Sequence, residues 1–291
     1  MKSITIFNSD SSDSVQIHSS STDLGYWVRA PIQGLESPSM RTILQDRAEE
    51  HGSFFSSSLY GSRVITLEGT IAADAATTYE SRRSDLEEIL KIERNAYGIP
   101  QPKILKFTTM DDLNLQVKCI VDSPLQLAID FPTHGRFAMN LIAADHFIEA
   151  QSASSSTFSA PADGGFILAI ELPITFTAST NSNKTITNAG NGEAYPILTF
   201  NGPLTNPRMQ NSTTGRGFGI TQTLTSGQAV VVNMRDKTVV QDGVTNVIGN
   251  KTASSKWWAL EPGANDIFFA SSDSSEAGTC VLSYRDSYIG V

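Results

Sequence analysis

Between residues 166 and 291 the sequence is a succession of short apolar runs: "FILAIELPITF", "YPILTF", "GFGITQTL", "QAVVVNM", "KTVVQ", "NVIG", "DIFFA" and "CVLSYRDSYIG". Gly, Asn, Asp, Pro or Ser part them every 8–15 residues, and no segment carries a helical period. Short runs bounded by turn residues are strands. Strands this short and this regularly spaced bury their apolar sides only when two sheets pack face to face. The C-terminal part, 166–291, is therefore expected to be a β-sandwich of jelly-roll type. Its sharpest turn is Asp242-Gly243, between β-branched runs. In "LEPGAN", Pro262 and Gly263 suit the centre of a type II turn, with Asn265 following. "TGRGFG", residues 214–219, precedes a strand and lacks the helix N-terminus that phosphate binding uses.

The first half is mixed. In "GSRVITLEGTIA", Val64, Thr66 and Glu68 alternate with Ile65, Leu67 and Ile71, the period of a half-buried strand. "TTYESRRSDLEEILKIERN" has neither Gly nor Pro and puts Tyr79, Leu86, Ile89 and Leu90 on one side. That spacing predicts an amphipathic helix over about 78–95, with Thr77 or Thr78 as N-cap and "GIP" as its stop. Arg83 with Glu87, and Glu87 with Lys91, stand at i,i+4. "KILKFTT", "LQVKCIVDSPLQLAID" and "GRFAMNLIAADHFIEA" read as further strands. The texture then turns small and polar in "QSASSSTFSAPADGG". This suggests a first domain over 1–152, a linker over 153–165 and a second domain over 166–291.

Function classes fall away by composition and by motif. Lys and Arg number 21 against 30 Asp and Glu, a net charge of −9, which is the wrong sign for holding nucleic-acid phosphates. The N-terminus has no apolar signal region and no window reaches 18 apolar residues, so synthesis and folding in a cytoplasm, without membrane insertion, are expected. Cys119 and Cys280 lie far apart and read as separate reduced thiols. His18, His51, His134 and His146 stand in no metal-ligand spacing, and no nucleophile, phosphate-loop or dinucleotide motif is present. The adjacent carboxylates Asp111-Asp112 and Glu87-Glu88 lack the apolar setting that makes an acid catalyst. No catalytic, cofactor or metal site is expected, and the chain does not read as an enzyme. Trp257 and Trp258 are the one aromatic pair of interest. On a strand they face opposite ways, so one ring could enter the core and the other stack on a sugar or a partner; alternatively both pack.

The order of features is more specific than any one of them. "GLESPSMR", "HGSFFSSSLYGSRVITLEGTI", a helix, a hairpin and "FAMNLIAADHFIEA" come first. "ITNAGNGEAYPILTFNGPLTNPRMQNSTTG", "LTSGQAVVVNM", "VVQDGVTNV", "WWALEPGANDIFF" and "CVLSYRDSYIG" follow. This order resembles the distal tail protein (Dit) family of long-tailed, siphovirus-type bacteriophages over nearly the whole chain. The resemblance implies a mainly β protein of two domains: a β-barrel-like or split-sheet N-terminal belt with one helix, and a galectin-like or carbohydrate-module-like C-terminal sandwich. It implies a structural virion protein at the tail tip, assembled in the host cytoplasm. Six copies would ring the end of the tail tube and let DNA pass unbound. The implied partners are the tube protein, the tail hub or tip protein, and receptor-binding or fibre proteins docked on the sandwich. The alternative is an accessory module contacting a host glycan through Trp257 or Trp258. Within the ring, the stretch with Arg63, Val64, Ile65 and Leu67 is the candidate contact, or else an internal strand of the barrel. "NGPLTNP" is read as a corner of the sandwich, its Asn and Pro setting the turn.

Overall fold

The computed structural model describes residues 1–21, 25–160, 182–273 and 277–291. They fall into two compact units, Met1–Gln151 with Tyr288–Val291, and Ser152–Ser287. The chain is mainly β, as its punctuation predicts.

The first unit contains β1 (Ser3–Phe7), β2 (Ser14–Ser19), β3 (Tyr26–Val28), β4 (Met40–Asp46), β5 (Ser53–Tyr60) and β6 (Arg63–Ala72). After α1 (Ala76–Ile89) come β7 (Lys103–Thr108), β8 (Asn114–Val121), β9 (Gln126–Phe131), β10 (His134–Ala143) and β11 (Ile148–Ala150). The sheet runs β2-β1-β7-β8-β10-β6-β3, with β9 also on β10 and β11 on β8. β2 and β3 end the path next to one another but without pairing, so no barrel closes. The long ladder is β6 on β10, in unbroken register from Arg63–Ala143 to Ala72–His134. The period of two holds along it: Ile65, Leu67 and Ile71 are buried, as are Phe137, Met139 and Leu141 opposite.

The helix lays Tyr79, Leu86, Ile89 and Leu90 on this core, the face its spacing predicts. Its ends differ from expectation. It begins after Ala75 with no side-chain cap, so neither Thr77 nor Thr78 caps it. It stops at Ile89, well short of residue 95, because the next polar side chains take other partners. Glu93 is held by the Lys103 ammonium and the Ser9 hydroxyl, and Asn95 closes a turn on the amides of Tyr97 and Ile99. Side chains that bond nearby backbone in this way compete with helix propagation.

In the second unit the stretch expected as a linker carries β12 (Ser154–Ser159). Its serines pair in register with a later strand, and Phe158 is buried. Residues 161–165 of that expectation, and the run "FILAIELPITF", lie outside the described residues. There follow β13 (Asn183–Asn188), β14 (Ile197–Asn201), β15 (Leu204–Thr205), β16 (Arg208–Asn211), β17 (Arg216–Gly219) and β18 (Thr223–Leu224). Then come β19 (Ala229–Asn233), β20 (Thr238–Gln241), β21 (Thr245–Asn246), a 3-10 turn (Ile248–Asn250), β22 (Gly263–Ala270) and β23 (Thr279–Tyr284), before the chain returns to the first unit through β24 (Ser287–Tyr288). One sheet runs β12-β23-β14-β19-β20-β21 and another β13-β22-β16-β17. Phe158, Leu198, Phe200, Val230 and Leu282 from the first share one core with Ile186, Met209, Phe218, Ile267 and Phe269 from the second.

The turns behave as their residues require. Asp242 and Gly243 both take positive φ, 48° and 73°, and the Val244 amide donates back to Gln241. That is the mirror-image turn suited to strand twist. "NGPLTNP" leaves β14 in one sheet and enters β16 in the other, with Asn206 at φ 49°. It is a corner between sheets.

Candidate functional site

The surface feature that stands out is the ribbon β4–β5. A strand with one buried face alternates apolar and polar side chains. Here every residue of β4 and all but one of β5 are exposed, with Met40, Ile43, Leu44, Phe54, Phe55, Leu59 and Tyr60 among them. Phe55 is 67 % exposed. The ribbon pairs only with itself among the described strands, with one bulge between Ile43 and Leu44. Its tip is polar: the Arg47 guanidinium lies 4.7 Å over the Phe54 ring, and the Arg47 amide donates to Gly52. A two-stranded ribbon is marginal alone, and this arm pairs with no other described strand.

The arm's root is firmly held. Ser39 Oγ donates to the Ser62 carbonyl and the Gly61 amide to Ser39. Tyr60 stacks on His146 with centroids 5.2 Å apart, and the His146 and Phe147 rings, tilted to one another, lie 3.8 Å apart. Just beyond, the Arg63 side chain turns inward, 1 % exposed. Its two terminal nitrogens donate to the carbonyls of Gly34, Glu36, His146 and Ile289. Burial pushes the Arg63 pKa down from its ordinary value, and the Glu36 charge works against that.

A second feature is the outward face of the strands β9, β10, β6 and β3. Thr70, Ala128 and Ala138 are small, and with Trp27 and Arg136 they line a recess of about 720 Å3. Nearer the strand ends a recess of about 500 Å3 is lined by Trp27, Phe131, His134 and Arg136. Arg136 is fixed there by a two-pronged bond to Asp130, 3.0 Å on each arm.

The residues expected as contacts are placed differently. Ile65 and Leu67 are fully buried in this chain and Arg63 is spent on backbone carbonyls, so none of the three has surface to offer a neighbour. The reason is the strand's own period, which points odd-numbered residues inward. Only Val64, 48 % exposed, faces out. Trp258 is 1 % exposed, in the sandwich core, and its Nε1 has no partner among the described residues. Trp257 is half-buried, its ring 4.7 Å from that of Phe218. Both rings pack on the sandwich core. The sequence reading missed the arm, though its signal is present: "SFFSSSLY" sets Phe54 beside Phe55, against the alternation of a half-buried strand.

The first unit is sheet-built and carries the exposed ribbon β4–β5, and the second is a sandwich of two sheets. A family model described as "Siphovirus-type tail component, C-terminal domain" matches residues 189–288. Among solved structures, the Dit protein of phage SPP1, described as a paradigm of the hub adsorption apparatus in phages infecting Gram-positive hosts, is 12 % identical. The match covers 98 % of both chains with a TM-score of 0.61. A chain of the phage P2 baseplate in its calcium-activated conformation is 10 % identical over 97 % of both chains, TM-score 0.49. No curated protein sequence matches. The resemblance carried by the order of the motifs thus stands: residues 189–288 match the model of a siphovirus-type tail component domain, and the chain shares the fold of the SPP1 distal tail protein.

Proposed function

We propose that this protein is the distal hub of a long phage tail, a ring of six copies at the end of the tail tube within the virion. In this reading the first unit makes the ring and meets the tube protein on one side and the tail hub or tip protein on the other. The second unit, the sandwich, gives receptor-binding or fibre proteins a surface to dock on. The ring lets DNA through without holding it, in keeping with a chain of net charge −9. Neither unit needs a cofactor for this role.

The observation that carries the reading is the β4–β5 arm. Its exposed Ile43, Leu44, Phe54 and Phe55 form an apolar surface on a thin projection. Apolar surface of this kind marks a protein contact. An arm on one side of a subunit that seats elsewhere on the next copy makes a heterologous contact, and such contacts close into rings when the rotation permits. The glycan alternative named Trp257 or Trp258; Trp258 is in the core, and Trp257 is half-buried against Phe218.

Light scattering across a range of concentrations tests the reading. A hexameric mass is expected for the wild type, and Phe54→Ser/Phe55→Ser is expected to shift it towards the monomer. A wild type that stays monomeric at every concentration counts against the ring. A hexamer indifferent to the double substitution removes the arm from its contact.

A further inference from the structure

The turn that follows α1 is built to hold one aromatic ring out in water. Asn95 Oδ1 accepts from the amides of Tyr97 and Ile99 at 2.9 and 3.0 Å, and the Asn95 amide donates to the Ile99 carbonyl. Arg94 donates across the turn to the Gly98 carbonyl at 2.8 Å. The base is equally fixed, by the Gln101 amide on the Glu93 carbonyl and by Lys103 and Ser9 on the Glu93 carboxylate. On this frame Tyr97 is 88 % exposed, with Ile92 and Ile99 exposed beside it. A side chain pre-set in this way loses little freedom on docking, and tyrosine is among the residues that anchor interfaces.

The register places this knob and the recess of Trp27, Phe131, His134 and Arg136 at opposite ends of the first unit. Lys103, at the base of the knob, pairs with Cys119; the next residue, Ile120, pairs with Ile142, and Ile142 with Val64. The recess is lined by Thr70 and Arg136, at the other end of the same two strands. Six residues of strand separate Ile142 from Arg136, about 20 Å. The helix accounts for the arrangement: it starts just past Ala72 and carries the chain back about 21 Å over its 14 residues. A knob at one end cannot fill a recess at the other end of its own chain, whereas it can fill that of a second copy.

We propose that the turn Asn95–Ile99 docks on a second copy of this chain, with the Tyr97 ring entering the recess framed by Trp27, Phe131, His134 and Arg136. This rests on the ring reading above and names one contact within it. The recess of about 500 Å3 holds a phenol ring with a flanking isoleucine, between the aromatic walls Trp27 and Phe131. Asp130 and Arg136 lie within reach of the phenol hydroxyl.

The test uses Tyr97→Cys and Phe131→Cys in separate full-length copies; the native Cys119 and Cys280 are buried and remain silent. Treated with a short bismaleimide, the two variants mixed are expected to give a covalent dimer, and each alone is not. Tyr97→Ala, which removes a ring in contact with little of its own chain, is expected to raise the concentration for half-assembly at least about tenfold. Suppose the wild type assembles, Tyr97→Ala assembles equally well and the mixture gives no cross-link. The knob contact is then overturned and the ring reading stands. A wild type that remains monomeric at every concentration overturns both.

Discussion

Phe200 and Phe269 face each other across the two sheets of the second unit, ring centroids 6.1 Å apart and planes within 25°. Each is fully buried. One stands on β14 and the other on β22, so the pair joins the sheet that leads into the corner with the sheet that leaves it. Phe269→Ala is expected to cost about 3–5 kcal/mol, the lost transfer energy plus the cavity. Phe269→Leu should cost clearly less. A double-mutant cycle with Phe200→Leu, read from denaturant midpoints, should return a coupling of about 0.5–1.5 kcal/mol. Additive effects would mean that the rings contribute only by burial.

Arg63 is a clamp. Its guanidinium gathers carbonyls from Gly34 and Glu36, from His146 and from Ile289, segments with no other covalent neighbourhood in common. Lysine keeps the charge but has no planar fork to span four acceptors. Arg63→Lys is therefore expected to destabilise the first unit by about 2–3 kcal/mol, since bonds from a charged donor are lost in a buried place. Thermal unfolding followed by circular dichroism checks this. A melting point within a degree of the wild type would refute the clamp.

The Glu93 carboxyl gives the first unit an acid-side weakness. Its bond to the Lys103 ammonium, aided by Ser9, holds its pKa below the ordinary 4.5 against a smaller opposing effect of burial. A carboxyl with a depressed folded pKa contributes stability above its unfolded pKa. That contribution is lost as pH falls through the folded value. Stability should thus decline as pH falls below about 4.5, and Glu93→Gln should flatten that part of the profile while lowering stability at pH 7. Denaturant midpoints between pH 3 and 7 measure both. An unaltered acid slope in the variant would assign the loss to other carboxyls.

The parts of the fold legible in the sequence were those where one residue decides its own geometry. Asp242-Gly243 announces its turn because both positions need positive φ, and Ile65, Leu67 and Ile71 announce a buried face by period alone. The helix face was legible for the same reason, through Tyr79, Leu86 and Ile89. Its end was not, because what stops it is Lys103 and Ser9 drawing Glu93 away, and those partners are distant in sequence. β12 was hidden by composition: serine-rich "SSSTFS" looks like a linker until its backbone pairs with β23. Arg63 reads as surface charge in the sequence, while four backbone carbonyls make it an interior group, in keeping with the internal-strand alternative. The arm escaped because a ribbon exposed on both faces has no period to find.

Asn265 shows how much a turn motif leaves unsaid. In "LEPGAN" the sequence marks Pro262 and Gly263, and Gly263 does take φ 88°. Yet the side chain that closes the turn is Asn265, which is fully buried. Its Oδ1 accepts from the Glu261 amide at 2.9 Å and from Asn211 Nδ2 at 3.1 Å. Its Nδ2 donates to the carbonyls of Glu261 and Gly263 at 2.8 and 3.0 Å. No other residue offers two acceptor lone pairs and two donors on so short a stem. Asn265→Asp keeps the shape but turns donors into acceptors facing two carbonyls, and Asn265→Ala leaves all four partners unmet. Both are expected to cost about 2–4 kcal/mol, the charged variant the more, since unmet buried groups keep their full desolvation penalty. Denaturant midpoints of the two variants decide the matter. If Asn265→Ala is within about 0.5 kcal/mol of the wild type, the turn is held by Pro262 and Gly263 alone.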